Sequence, residues 1–202
     1  KSCMMKEEEY DRESMLKIFP DYRLVSCSDP VFGTAEGNYI DATMGKGNDT
    51  LLLARLAGEQ GQVLAFDIQK EALDMTKVLL KENGVEDRAK LILDGHEQMD
   101  RYAKKESMDV ICFNFGYLPG GDHNIATAAK TSVAAVQKGL EILKHGGFMS
   151  LCIYSGGDTG FEEKETLLAF LKELSPGEYT VILQEYYNRK NHPPLPVLIF
   201  KK

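Results

Sequence analysis

Two hydrophobic periods alternate along residues 38–202. Short apolar blocks predict strands: "NYIDAT" (38–43), "GQVLAFDI" (61–68), "AKLILDG" (89–95), "MDVICFNFG" (108–116) and "GFMSLCIYS" (147–155). Between them, apolar residues at helical spacing predict helices. These are "DTLLLARLAGE" (49–59), "KEALDMTKVLLKENG" (70–84), a short "EQMDRYAKK" (97–105), residues 125–144 and "EEKETLLAFLKEL" (162–174). Asp49 or Thr50 is the expected N-cap of the first helix, and Gly84 ends the second. His145-Gly146-Gly147 is expected to close the long helix. Two adjacent strands, "YTVILQEYYN" (179–188) and "LPVLIFKK" (195–202), finish the chain.

Alternating strands and helices mean an open α/β sheet with right-handed crossovers. The fourth block is apolar on both sides, so it is expected to be central. The closing strand pair predicts an antiparallel hairpin at one sheet edge. That ending separates a Rossmann-like methyltransferase sheet of seven mostly parallel strands from the all-parallel dinucleotide variant. Residues 38–202 are read as one domain of this class. Residues 1–37 carry a possible helix, "MKEEEYDRESMLKIF", then a turn-rich stretch, and are read as an N-terminal cap on the sheet. No apolar run is long enough for a bilayer, and the charged first residues do not suit a secretory signal. The sequence opens on Lys1, as a trimmed chain would.

Charge narrows the candidate partners. The net charge of −7 disfavours broad phosphate binding, so any RNA contact is expected to be a local patch or one recognised nucleotide. The basic cluster lies in "NRKNHPPLP" (188–196). The four cysteines show no CxxC spacing. Cys112 and Cys152 sit in strand blocks as small hydrophobes, which suits a reducing, cytoplasmic setting. No His/Cys/Asp cluster has metal-ligand spacing, so no metal is expected.

The chemistry concentrates in "DATMGKGNDT" (41–50), where a strand ends in a glycine turn and starts a helix. Such a turn offers backbone N–H groups to a ligand. Thr50 stands where the dinucleotide fingerprint needs its third glycine, and Asp49 before it is a poor neighbour for a pyrophosphate. A carboxylate there suits an ammonium and a sulfonium. Asp41, Gly45 and Gly47 complete D-x-x-x-G-x-G, the pattern of S-adenosyl-L-methionine (SAM) sites. Asp67 ends the second strand about twenty residues on, where a carboxylate accepts ribose hydroxyls. Asp94 ends the third strand, near an adenine edge. A lone GxG is a plain turn and a lone strand-end acid is often a helix cap. Three acids at three successive strand ends behind one glycine turn converge on one crevice.

The fourth strand runs into "NFGYLPGGD", Asn114 to Asp122. Its spacing is similar to the (D/N)PPY turn of methyltransferases that modify amino nitrogens. Asn114 would aim a nitrogen lone pair in line with the S–CH3 bond, Tyr117 would wall the pocket or stack on a base, and Asp122 or His123 would take a proton.

These stretches, with "AFDIQ", "DGHEQMD", "YSGGDTGFEEKE" and "NHPP", resemble the bacterial SAM-dependent tRNA 5-(aminomethyl)-2-thiouridine methyltransferases, once described as rRNA methylases. The resemblance implies methyl transfer from SAM to the amine of 5-aminomethyl(-2-thio)uridine at the tRNA wobble position. It implies that Asp41, Gly45 and Gly47 hold the methionine end, Asp67 the ribose, and Asp94 to His96 the adenine side, with Asn48, Asp49, Gln69 and Asn114 also binding the cofactor. Asn114, Gly116, Tyr117, Pro119 and Asp122 would form the acceptor pocket. Tyr154, Asn191, Pro193 and Pro194 would line its far wall. It also implies a homodimer that engages the tRNA anticodon loop. Alternative readings are a SAM methyltransferase of rRNA or a small amine, and a nucleotide-binding module without turnover. The first forty residues depart from the family pattern.

Overall fold

A computed structural model of the chain describes residues 37–115, 129–154, 157–190 and 193–202. Seven strands form one sheet in the order β3-β2-β1-β4-β5-β7-β6. They are β1 (Asn38–Asp41), β2 (Gln62–Asp67), β3 (Ala89–Leu93), β4 (Met108–Phe115), β5 (Leu143–Ile153), β6 (Tyr179–Leu183) and β7 (Leu195–Lys201). β1 to β5 pair in parallel, and β7 runs antiparallel to both β5 and β6. The expected antiparallel edge hairpin is therefore present, and β1 and β4 are central.

The helices are α1 (Asn48–Ala57), α2 (Lys70–Glu82), α3 (Ala129–Ile142) and α4 (Gly157–Lys172). Alternation along each strand divides the core in two. Ile40, Phe66, Ile111, Phe113 and Leu151 pack with Ala135, Val136 and Leu140 of α3 and Leu167 and Leu171 of α4. Tyr39, Val63, Val110 and Cys112 pack with Leu53, Ala54 and Ala57 of α1 and Leu80 of α2. Both faces are covered, which is why the central strands carry no polar alternation. Gly139 lets α3 lie close to β5, since a Cβ there would sit 2.4 Å from Met149 Cε. Cys112 and Cys152 are buried in β4 and β5, and neither forms a disulfide among the described residues. Among the described residues no helix is long and apolar enough to cross a membrane.

α2 ends as its sequence predicts. The N–H of Gly84 reaches Lys81 O at 3.1 Å and that of Val85 reaches Leu80 O at 3.1 Å, a Schellman closure around a left-handed glycine. Four boundaries differ from expectation. α3 stops at Ile142, and His145-Gly146-Gly147 lies inside β5, where the register jumps from Met108–Leu143 to Val110–Phe148. The cap of α3 is instead the buried Lys201, whose Nζ donates to Leu140 O at 2.9 Å and Leu143 O at 2.8 Å. The short segment after β3 is a 3-10 helix, His96–Arg101. β6 ends at Leu183, five residues early, and its would-be continuation faces Pro193 and Pro194, which have no N–H to donate. α4 starts at Gly157, ahead of Glu162. The cap segment proposed for residues 1–37 lies, but for Gly37, outside the described residues.

Candidate functional site

The glycine turn after β1 is built by tertiary contacts, not by a side-chain cap. The N-cap of α1 is Gly47, left-handed at φ 79° and without a side-chain cap bond, so neither Asp49 nor Thr50 caps the helix. A Cβ on Gly47 would also lie 2.5 Å from Thr76 Oγ1 of α2, which is buried under the turn. Asp49 and Thr50 turn back towards the strand ends instead. Thr50 Oγ1 donates to Asp41 Oδ2 at 2.6 Å, and Asn114 Nδ2 donates to Asp49 Oδ2 at 2.7 Å.

Asp41 is fully buried and also accepts the Thr43 N–H at 3.2 Å. Asp67 clasps the turn, since Gly45 N donates to its Oδ2 at 2.9 Å and Gln69 N to its Oδ1 at 2.9 Å. A carboxylate oxygen has two lone pairs, so each can still accept a ligand hydroxyl. The acids at the ends of β1 and β2 thus meet at one turn, with Asp49 between β1 and β4.

Their proximity shows in their protonation. Burial first, and then the Asp49 charge, push Asp41 up to about 7, although bonds from Thr50 and Thr43 work against the rise. Burial likewise raises Asp49 to about 6, opposed by the Asn114 bond. Such a crowd of acids favours a cationic ligand. It is a poor setting for a pyrophosphate.

Asn114 lies at the end of β4 beside Cys152 of β5. Its backbone N–H donates to Thr43 Oγ1 at 2.6 Å. An ionised carboxylate only accepts, so the bond to Asp49 fixes which way the amide faces and directs Oδ1 away from Asp49.

Asp94 follows β3 and accepts Tyr102 OH at 2.8 Å. Tyr102 in turn meets Phe66 edge-on at 5.4 Å. His96 is half-buried. Its Nδ1 contacts Ala42 O at 3.2 Å and its ring lies edge-on to Phe113 and Phe115, both at 6.0 Å. Burial lowers its pKa, so it is held neutral. Asn48 is exposed at the start of α1. Tyr154 follows β5 and is 42% exposed, and the Leu195–Ile153 pairing brings it level with Pro194. Gly116, Tyr117, Pro119, Asp122 and Asn191 lie outside the described residues, as does His123.

The sequence does not single out Thr43, Thr76 or Tyr102, and it offers Thr50 as a helix cap and not as the partner of Asp41. The D-x-T spacing of Asp41 and Thr43 is a local turn signal. The other three join residues apart in sequence and leave no such mark. Among the described residues no group of three or more His, Cys, Asp or Glu side chains could hold a metal ion.

Residues 63–200 match the family described as putative rRNA methylase. A tRNA (mnm(5)s(2)U34)-methyltransferase, chloroplastic, from Arabidopsis thaliana is 36% identical over 170 residues, 80% of this chain. The match spans about three fifths of that relative's length, at 61%. The crystal structure of a putative rRNA-methylase from Clostridium thermocellum is 44% identical, with a TM-score of 0.82 over 85% of this chain and 91% of that one. A putative methyltransferase from Streptococcus mutans, solved in complex with SAH, is 37% identical, with a TM-score of 0.74 over 82% of this chain and 89% of that one.

Proposed function

The chain belongs to the putative rRNA methylase family and is a SAM-dependent methyltransferase; from that premise we propose that it methylates an aliphatic amine on RNA. The proposed acceptor is the aminomethyl group of 5-aminomethyl(-2-thio)uridine at the tRNA wobble position, and the product is the 5-methylaminomethyl form. The name of the Arabidopsis relative supports the wobble position.

The observation that carries the reading is the Asn114 amide, clamped at the end of β4 by Asp49. When bound, SAM supplies a methyl group made electrophilic by its sulfonium. Asp41, Asp49 and Asp67 keep this end of the sheet negative, which suits the ammonium and the sulfonium. Asn114 Oδ1 accepts an N–H of the incoming amine and aims its lone pair at the methyl, about 3 Å away. No strong acid is needed, because the leaving thioether is neutral. Asp122 or solvent takes the proton of an amine that arrives charged. Fixed geometry supplies most of the rate. Asp94 and Tyr102 border the adenine edge, and Tyr154, Pro193 and Pro194 the acceptor's far side. A homodimer is part of the proposal, and light scattering checks it.

The test is mass spectrometry of nucleosides from undermodified tRNA incubated with the protein and SAM. The reading expects one added methyl on the aminomethyl uridine. A methyl found only on rRNA or on a free amine would replace it. Asn114→Ala is expected to lower turnover about 100-fold while SAM affinity stays within about twofold.

A further inference from the structure

The loop joining β6 to β7 rises at the catalytic end of the sheet. β5 runs parallel to β4, β7 antiparallel to β5, and β6 antiparallel to β7. The C-terminus of β6 and the N-terminus of β7 therefore lie level with Asn114. Three strand spacings separate β4 from β6, a distance of about 14 Å.

The loop carries "QEYYNRK", Gln184 to Lys190. Tyr187 is fully exposed, at 104%. The Arg189 guanidinium stacks over the half-buried Tyr186 ring, 4.5 Å from its centroid. Lys190 is exposed beside it, and Glu185 is the loop's one acid. Among the described residues, Gln184 Oε1 is shielded from solvent and accepts no hydrogen bond. A buried acceptor left unmet is costly in a folded chain.

We propose that this hairpin is a docking surface for single-stranded RNA, gripping nucleotides next to the one presented to Asn114. It rests on the reading of the substrate as RNA. Tyr187 is the stacking platform, since any base offers a π face. Arg189 and Lys190 meet phosphates, and docking that uncovers Gln184 lets its carbonyl oxygen accept a base N–H. The exposed Ile182 and Leu183 of β6 would instead suit a second copy of the chain. The two cations on a chain of net charge −7 favour a polyanion.

Fluorescence anisotropy with a labelled RNA stem-loop of anticodon-arm size tests this. Tyr187→Ala is expected to weaken binding about tenfold. Arg189→Ala and Lys190→Ala each flatten the log-affinity against log-salt slope by roughly 0.7. In methylation assays the same variants raise KM for tRNA and leave kcat and SAM affinity unchanged. Unchanged RNA affinity in all three would overturn the proposal, even with wild-type methylation of tRNA intact. A change in oligomeric mass with unchanged RNA affinity would overturn it too, and assign the hairpin to contacts between copies. Conversely, a wild-type protein that binds RNA through the hairpin yet adds no methyl to the wobble uridine would leave this surface standing and remove the substrate reading.

Discussion

Asn114 and Asp49, separated by 65 residues, share a 2.7 Å hydrogen bond that ties the end of β4 to the first turn of α1. In the proposed site the bond links the turn assigned to the methyl donor to the amide assigned to the acceptor. It also gives the amide one orientation, because an ionised carboxylate cannot donate.

Asp49→Asn breaks that logic with little change in size. The new amide can donate or accept, so Asn114 can turn over. Single-turnover rates are expected to fall about 10-fold to 100-fold, since misaimed groups lose most of the benefit of proximity. A rate equal to wild type would show that the orientation of Asn114 is set elsewhere.

SAM binding should depend on pH. Asp41 and Asp49 are raised to about 7 and about 6, so part of the pair is protonated near neutrality. A cationic donor favours the ionised forms and expels protons. Affinity is expected to rise from about pH 5 to pH 7.5 and level off near pH 8, by at most tenfold per unit for each proton released. Calorimetry at pH 6.5 in buffers of different ionisation heat checks the release. Affinity flat across the range would contradict it.

Asp41 should also cost stability at neutral pH. Its folded pKa lies above the unfolded value of 3.8, so the fold disfavours the charged form. Its contribution is most favourable below about pH 4 and is lost as pH rises through 7. Asp41→Asn can keep both contacts, its oxygen accepting from Thr43 N and its nitrogen donating to Thr50 Oγ1. The variant is expected to melt higher than wild type at pH 8, by roughly 2–4 °C per kcal/mol regained, with a smaller gap at pH 5. It should bind SAM more weakly. A variant that melts lower at pH 8 would refute the strain.

Asp67→Ala removes the acceptor of both Gly45 N and Gln69 N. The glycine turn loosens and the proposed ribose partner is lost, each bond worth about 1–3 kcal/mol. SAM affinity by calorimetry is expected to fall at least tenfold, with partial recovery in Asp67→Asn. Unchanged affinity would remove Asp67 from the site.

The strands were legible because burial on both faces leaves continuous apolar blocks, and the convergence of Asp41 and Asp67 followed from the topology of a parallel sheet. What escaped depends on partners distant in sequence. The end of α3 is set by Lys201, about sixty residues further along, so the nearby glycines misled. Asp49 has the chemistry of a cap, yet Asn114 claims it. His96 reads as an adenine-side residue, but the sequence does not show that the Ala42 carbonyl and two phenylalanines orient its ring. Hydroxyl pairs such as Thr50 with Asp41 and Tyr102 with Asp94 have no periodic signature. Only the folded chain reveals them.

A crystal structure with S-adenosylhomocysteine tests the central claim most directly. The ammonium is expected at the turn bearing Asp41 and Asp49, and the sulfur on the side of Asn114 that carries Oδ1. A sulfur lodged beyond β2 or β3, or an Asn114 amide swung off Asp49 with its oxygen facing away from the sulfur, would contradict it.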